Sequence, residues 1–163
     1  TTGLRFFTVY GPWGRPDMAL QKFTDAIVSG NKIDLYNYGK HKRDFTYIDD
    51  IIEGILKVIN KSPEGTIDWD PENPSLSKSS SPYRIFNIGN NQSIELLDYI
   101  HEIEKNLGIK ADKNLLPLQP GDVEDTFANV EDLSKVYGFK PETSIVKGVK
   151  QFIEWYKDYH KIK

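Results

Sequence analysis

Apolar and polar positions along the chain alternate between two periods. Gly3-Leu-Arg-Phe-Phe-Thr-Val9 is an apolar, aromatic and β-branched run that predicts one buried strand, which needs neighbours on both sides. Tyr10-Gly-Pro-Trp-Gly-Arg-Pro16 reads as a Gly/Pro loop, after which Leu20, Phe23 and Ile27 recur at helical spacing until Gly30. Ile33 to Tyr36 predicts a short strand and Gly39 to Thr46 a polar loop. Ile51, Ile52, Ile55, Leu56 and Ile59 then form one face of a helix, with Asp49 as the expected cap.

Residues 62 to 83 change character. Pro63, Gly65, Pro71, Pro74, Pro82 and the serines from Ser77 to Ser81 oppose regular structure, so this stretch is expected to be a flexible surface insertion. Arg84-Ile-Phe-Asn-Ile-Gly89 returns to a strand. Ser93 is the expected cap of a helix carrying Leu96, Ile100, Ile103 and Leu107 and ending at Gly108. An irregular stretch follows around Pro117 to Asp122. Asn129 is expected to cap a short helix to Tyr137, and Thr143 a last one carrying Ile145, Val149, Phe152, Ile153 and Tyr156. The class is α/β, with short strands and no internal repeat.

Composition narrows the possible partners. The 163 residues are 38% hydrophobic and 12% aromatic, enough for one core of ordinary domain size. A net charge of −3 gives no broad basic surface for nucleic acid or an anionic membrane. With no Cys and three dispersed His (His41, His101, His160), neither a disulfide framework nor a metal-ligand spacing is visible. No apolar run approaches the roughly 20 residues that span a bilayer, and a cytoplasmic setting is expected.

Four ordered segments go further than these patterns. Leu4-Arg-Phe-Phe-Thr-Val-Tyr-Gly-Pro12, Lys42-Arg-Asp-Phe-Thr-Tyr-Ile-Asp-Asp50, Arg84 to Gly89 and Gln119-Pro-Gly-Asp-Val123 resemble the extended short-chain dehydrogenase/reductase family of sugar-nucleotide epimerases and dehydratases. Gly11-Pro-Trp-Gly-Arg-Pro-Asp-Met-Ala19 and Tyr36-Asn-Tyr-Gly-Lys40 are most similar to its UDP-glucuronate 4-epimerases. The resemblance implies that residues 1 to 163 are a C-terminal substrate-binding portion, with the last Rossmann strands as remnants of the NAD-binding sheet.

The family's other half would hold a Gly-rich phosphate turn and a catalytic Tyr and Lys four residues apart on a helix. No G-x-G-x-x-G occurs here; Gly11-Pro-Trp-Gly14 lacks the third glycine, since residue 17 is Asp. Tyr36/Lys40 and Tyr38/Lys42 have the Tyr-to-Lys spacing, but Gly39 and a strand-to-loop setting oppose one helical face. The expectation is therefore an absent N-terminal half and no catalytic residue in this chain.

By the same resemblance, Arg43 binds the diphosphate, Asp122 the ribose hydroxyls and Gln119 the phosphates, where many relatives carry Arg. Thr8 and Arg15 face the hexose, with Arg15 pairing a sugar carboxylate. Leu35 and Tyr36 meet uracil through backbone, while Phe7, with Thr8, borders the nicotinamide of NAD. On the residues alone, each has a plainer reading: a surface pair for Arg43 and Asp44, a turn for Gly121-Asp122, an exposed loop charge for Arg15, and core packing for Phe7, Leu35 and Tyr36.

The function implied is binding of a UDP-sugar for reversible C4 epimerisation of UDP-glucuronate to UDP-galacturonate through a 4-keto intermediate, with NAD held mainly by the other half. The alternatives are epimerisation of neutral UDP-hexoses, a sugar-nucleotide 4,6-dehydratase, or a non-catalytic nucleotide-sugar-binding fragment. Relatives pair as homodimers through the other half, so that dimer is not expected from this chain. The apolar run Leu4 to Val9, left at a sheet edge, instead predicts self-association.

Overall fold

The computed structural model describes residues 1–162. Its strands are β1 (Thr2–Phe6), β2 (Thr8–Tyr10), β3 (Ile33–Leu35), β4 (Lys42–Tyr47), β5 (Arg84–Ile88), β6 (Ser93–Glu95) and β7 (Lys113–Leu115). Its helices are α1 (Ala19–Val28), α2 (Ile48–Ile59), α3 (Leu96–Leu107), α4 (Glu131–Tyr137) and α5 (Ile145–His160). The α/β class is as expected, and three small sheets carry it: parallel β1–β5, parallel β2–β4 extended by antiparallel β6, and parallel β3–β7.

The first strand departs from expectation. The run breaks at Phe7, whose N–H donates to Ile88 O at 3.2 Å, and the chain then passes from β5's sheet to β4's. No Gly or Pro marks that break. Nor is β1 buried: its free edge leaves Phe6 51% exposed.

Residues 42 to 47 are also a strand, not a polar loop, and Asp44, Phe45, Thr46 and Tyr47 are all buried. Their polarity disguises this because the polar groups satisfy one another. Asp44 accepts hydrogen bonds from Thr46 Oγ1 at 3.1 Å, Asn90 N at 2.7 Å and Ala128 N at 3.0 Å.

The expected caps shift by a residue or more. Ile48 opens α2, so Asp49 lies inside the first turn, where its charge favours the helix dipole without capping it. Ser93 starts β6 opposite Asp44, and the helix begins only at Leu96. Ser144 caps α5 by accepting from Lys147 N at 3.3 Å, because Asp50 already takes Thr143's N–H at 3.0 Å and hydroxyl at 3.1 Å. Asn129 accepts from Glu131 N at 3.0 Å, but Val130 holds the cap position, so Asn129 stands one residue before the cap of α4. Strand β7 was not expected, being exposed along its length. Residues 62 to 83 carry no helix or strand.

Two apolar clusters fill the interior. The larger joins β2, β3 and β4 to α1, α3 and α5 around Tyr10, Phe45, Tyr99 and Phe152, with Phe45 and Tyr99 stacked at 4.0 Å and 11°. Tyr99 is fully buried, and burial pushes its hydroxyl well above the usual tyrosine value. The smaller cluster sets Ile51 and Val58 of α2 against Phe86, Ile88, Leu133 and Phe139. Gly54 permits that approach: a Cβ there would meet Ile88 Cδ1 at 2.6 Å and Phe139 at 2.9 Å. The opposite face of α2 leaves Ile52, Leu56 and Ile59 exposed.

Candidate functional site

Strand alternation separates Arg43 from Asp44. The carboxylate turns inward, whereas the guanidinium turns to the far side, its side chain 21% exposed. There the segment after the Gln119–Asp122 turn runs beside β4: Lys42 N donates to Glu124 O at 3.0 Å and Thr126 N to Lys42 O at 3.1 Å. Arg43 Nη1 donates to Glu124 O at 2.7 Å, and its Nη2 reaches Asp122 Oδ1 at 3.4 Å. The turn has Pro120 followed by Gly121 at φ +83°, closed by Asp122 N donating to Gln119 O at 3.1 Å, the signature of a type II turn. Gln119 is exposed beside it.

His41 was not singled out by its sequence context, yet it completes this group. It is buried, with Nδ1 3.2 Å from Glu124 O and Nε2 3.2 Å from Asp122 Oδ2. Nε2 meets Asp122 without hydrogen-bond alignment, so no directional bond joins them. Only the fold reveals His41, because its partners lie about eighty residues onward.

Thr8 opens β2, and Arg15 lies in the loop that follows it. Both line a cavity of about 30 Å³ with Tyr10, Phe45, Tyr99 and Phe152, room for about one water and not for a hexose. Arg43, Gln119 and Asp122 do not line it. Arg15 is exposed and pairs in a two-pronged fashion with Asp17, its Nε donating to Oδ1 at 3.0 Å. The hydrogen bond from Arg15 holds Asp17 below the usual carboxylate range, and Asp17 in turn raises Arg15.

Leu35 is fully buried, and its carbonyl is taken by Leu116 N at 2.9 Å. Tyr36 is half-buried at the start of a 3₁₀ turn, Tyr36–Gly39, in which Asn37 and Tyr38 have positive φ. Lys42 lies in β4, so neither Tyr36/Lys40 nor Tyr38/Lys42 shares an α-helix. Phe7 sits half-buried where β1 ends beside β5, at the carboxyl edge of the parallel pair. Among the described residues no cluster of three or more metal-binding side chains occurs, and no helix is long and apolar enough to cross a membrane.

Comparison with known proteins bears on this arrangement. The family model for the NAD dependent epimerase/dehydratase family matches residues 1–89. Protein CapI of Staphylococcus aureus is 53% identical over 161 residues, covering 99% of this chain and 48% of CapI. A probable UDP-glucuronate 4-epimerase of Rhizobium meliloti is 48% identical over 158 residues, covering 96% of this chain and 46% of that protein. A crystal structure of UDP-glucuronic acid 4-epimerase from Bacillus cereus in complex with UDP-glucuronic acid and NAD is 29% identical, with a TM-score of 0.78 over 96% of this chain and 45% of that one. The chain thus spans about half the length of the relatives it matches.

Proposed function

This chain belongs to the NAD dependent epimerase/dehydratase family, and from that premise we propose that it anchors the UDP-sugar for reversible C4 epimerisation of UDP-glucuronate to UDP-galacturonate. The observation that carries the reading is the meeting of Arg43 and Asp122 on one side of β4, with Gln119 opening the same turn that carries Asp122. A planar guanidinium beside a carboxylate matches the chemistry of a nucleoside diphosphate: cation to phosphate, carboxylate to ribose hydroxyls. Ligand binding exchanges the Arg43–Asp122 contact for these partners.

Arg15 and Thr8 then address the hexose. The two-pronged pairing of Arg15 with Asp17 is the geometry in which a guanidinium receives a carboxylate, here the sugar's own. That charge complement favours UDP-glucuronate over neutral UDP-hexoses. Tyr36 remains the candidate uracil neighbour. Leu35 would act there through its position, since its carbonyl is already bonded.

NAD fits at one edge only. Phe7 at the carboxyl end of β1 would wall the nicotinamide, with Thr8 next to it, and the remaining contacts belong to a dinucleotide-binding half. Bound NAD supplies the hydride acceptor for the C4 carbon. This chain's part is to hold the diphosphate firmly while the hexose turns over, and we assign none of its residues to proton transfer.

The test supplies the natural full-length protein with UDP-glucuronate and NAD and resolves the nucleotide sugars formed. UDP-galacturonate is expected. Conversion of only UDP-glucose or UDP-N-acetylglucosamine would overturn the carboxylate role of Arg15 and Thr8.

A further inference from the structure

Between Gly11 and Asp17 the loop bearing Arg15 is tied at both ends and held from outside at its middle. At the near end, Gly11 packs so closely on Ile48 that an added Cβ would stand 2.6 Å from Ile48 Cγ2. At the far end, Met18 N donates to Arg15 O at 3.1 Å and leads into α1. In the middle stands Trp13, at φ +61°, a left-handed conformation that costs a bulky residue energy and persists only where surroundings enforce it.

The local turn, closed by Gly14 N donating to Gly11 O at 3.3 Å, calls for that φ at its third residue, and the last turns of α5 hold the ring from outside. The Trp13 ring lies 5.3 Å from Trp155 and 5.2 Å from Tyr159, although the residue is 74% exposed. Trp155 and Tyr159 stack on each other at 5.3 Å and 20°, and Trp155 also meets Phe152 of the core at 5.6 Å. Helix α5 is itself fixed: Ser144 caps it, Phe152 and Ile153 are buried, and Tyr156 Oη donates to Asp25 at 2.6 Å. Trp13 therefore meets a stacked Trp155–Tyr159 pair, tilted 60° to the one and edge-on at 78° to the other, and the three rings connect a fixed helix to a loop whose proposed ligand cation is two residues further on.

We propose that Trp13 is a specificity-positioning residue: its clamp on Trp155 and Tyr159 holds the loop so that Arg15 meets the carboxylate of a uronate sugar. This rests on the carboxylate reading of Arg15. The Arg15–Asp17 pair cannot do the same work, because both side chains are exposed and move with the loop. Nor does the clamp touch Arg43 or Asp122, so it acts on the sugar end of the ligand and leaves the UDP end alone.

Calorimetric binding of UDP, UDP-glucose and UDP-glucuronate to the natural full-length protein separates the two ideas. Trp13→Ala and, from the helix side, Tyr159→Ala should each weaken UDP-glucuronate about five- to tenfold while leaving UDP and UDP-glucose within about twofold, and Trp13→Phe should restore most of the loss. Unchanged UDP-glucuronate affinity in both variants, or an equal loss for all three ligands, would overturn the proposal. Arg15→Ala in the same series decides the underlying reading. If it leaves UDP-glucuronate affinity intact, the carboxylate role fails and the clamp's role with it; if it weakens that ligand while Trp13→Ala does not, only the clamp fails.

Discussion

Arg43 Nη2 stands 3.4 Å from Asp122 Oδ1, so two residues 79 positions apart in sequence hold each other on the face of β4 where a diphosphate would lie. His41 and the Glu124 carbonyl complete the same knot. Each partner of the pair is thus prepositioned by the other before any ligand arrives.

Arg43→Ala should accordingly weaken UDP binding by about 1.5–3 kcal/mol, the range for a hydrogen bond to a charged group. Arg43→Lys should recover only part, since an ammonium cannot engage two oxygens in one plane. Calorimetric titration with UDP checks both, and an unchanged dissociation constant for Arg43→Ala would refute the assignment.

Glu104 sets an acid limb to the stability. Its nearly covered carboxylate resists burial, but Lys113, the Ala111 N–H at 3.0 Å and Lys110 at 3.0 Å outweigh that cost and draw its pKa down to about 2. An unfolded glutamate titrates near about 4.3, so the stabilisation is full at neutral pH and is lost as pH falls from there toward about 2. Glu104→Gln should lower stability at pH 7 by about 1–3 kcal/mol and flatten the acid limb. Melting temperature followed from pH 7 downward would show it.

Gly54→Ala should destabilise despite the better helix propensity of alanine. The gain of about 1 kcal/mol is offset by pushing Ile88 and Phe139 apart at about 1–3 kcal/mol, a net loss of up to about 2 kcal/mol. Chemical denaturation measures it; a more stable variant would mean that the α2 contact yields more easily than its distances imply.

Exposed Ile52, Leu56 and Ile59 on α2, with the free edge of β1 and Phe6, should make the isolated 163-residue chain associate as its concentration rises. Leu56→Glu with Ile59→Lys should reduce the effect. Light scattering over a concentration series is the check, and a monodisperse monomer of the unaltered chain would count against it.

Apolar stripes made α1 and α5 legible, since Leu20 and Ile27, and Val149, Phe152, Ile153 and Tyr156, are buried where the spacing puts them, but the one face expected of α2 is split, with Ile51 buried and Ile52, Leu56 and Ile59 exposed. Strand β4 was not legible, because its buried Asp44 is held by the N–H groups of Asn90 and Ala128, which no local window contains, and Thr46 in turn donates to Asp44. The caps misled for a related reason: Thr143, a good local cap, was claimed by Asp50 from 93 positions away. In the site, Arg43 and Asp122 were named from resemblance, but their mutual contact and the part of His41 needed the third dimension.

The buried Asp44 also limits what can be moved. Because it fastens β4 to Asn90 and Ala128 at once, the strand that presents Arg43 is not a portable cassette. An engineer transplanting this strand into another scaffold would have to carry both distant backbone segments with it, or else leave a buried carboxylate with Thr46 as its one remaining partner of the three. Strand β4 and its fastening are one inheritable unit assembled from three stretches of chain.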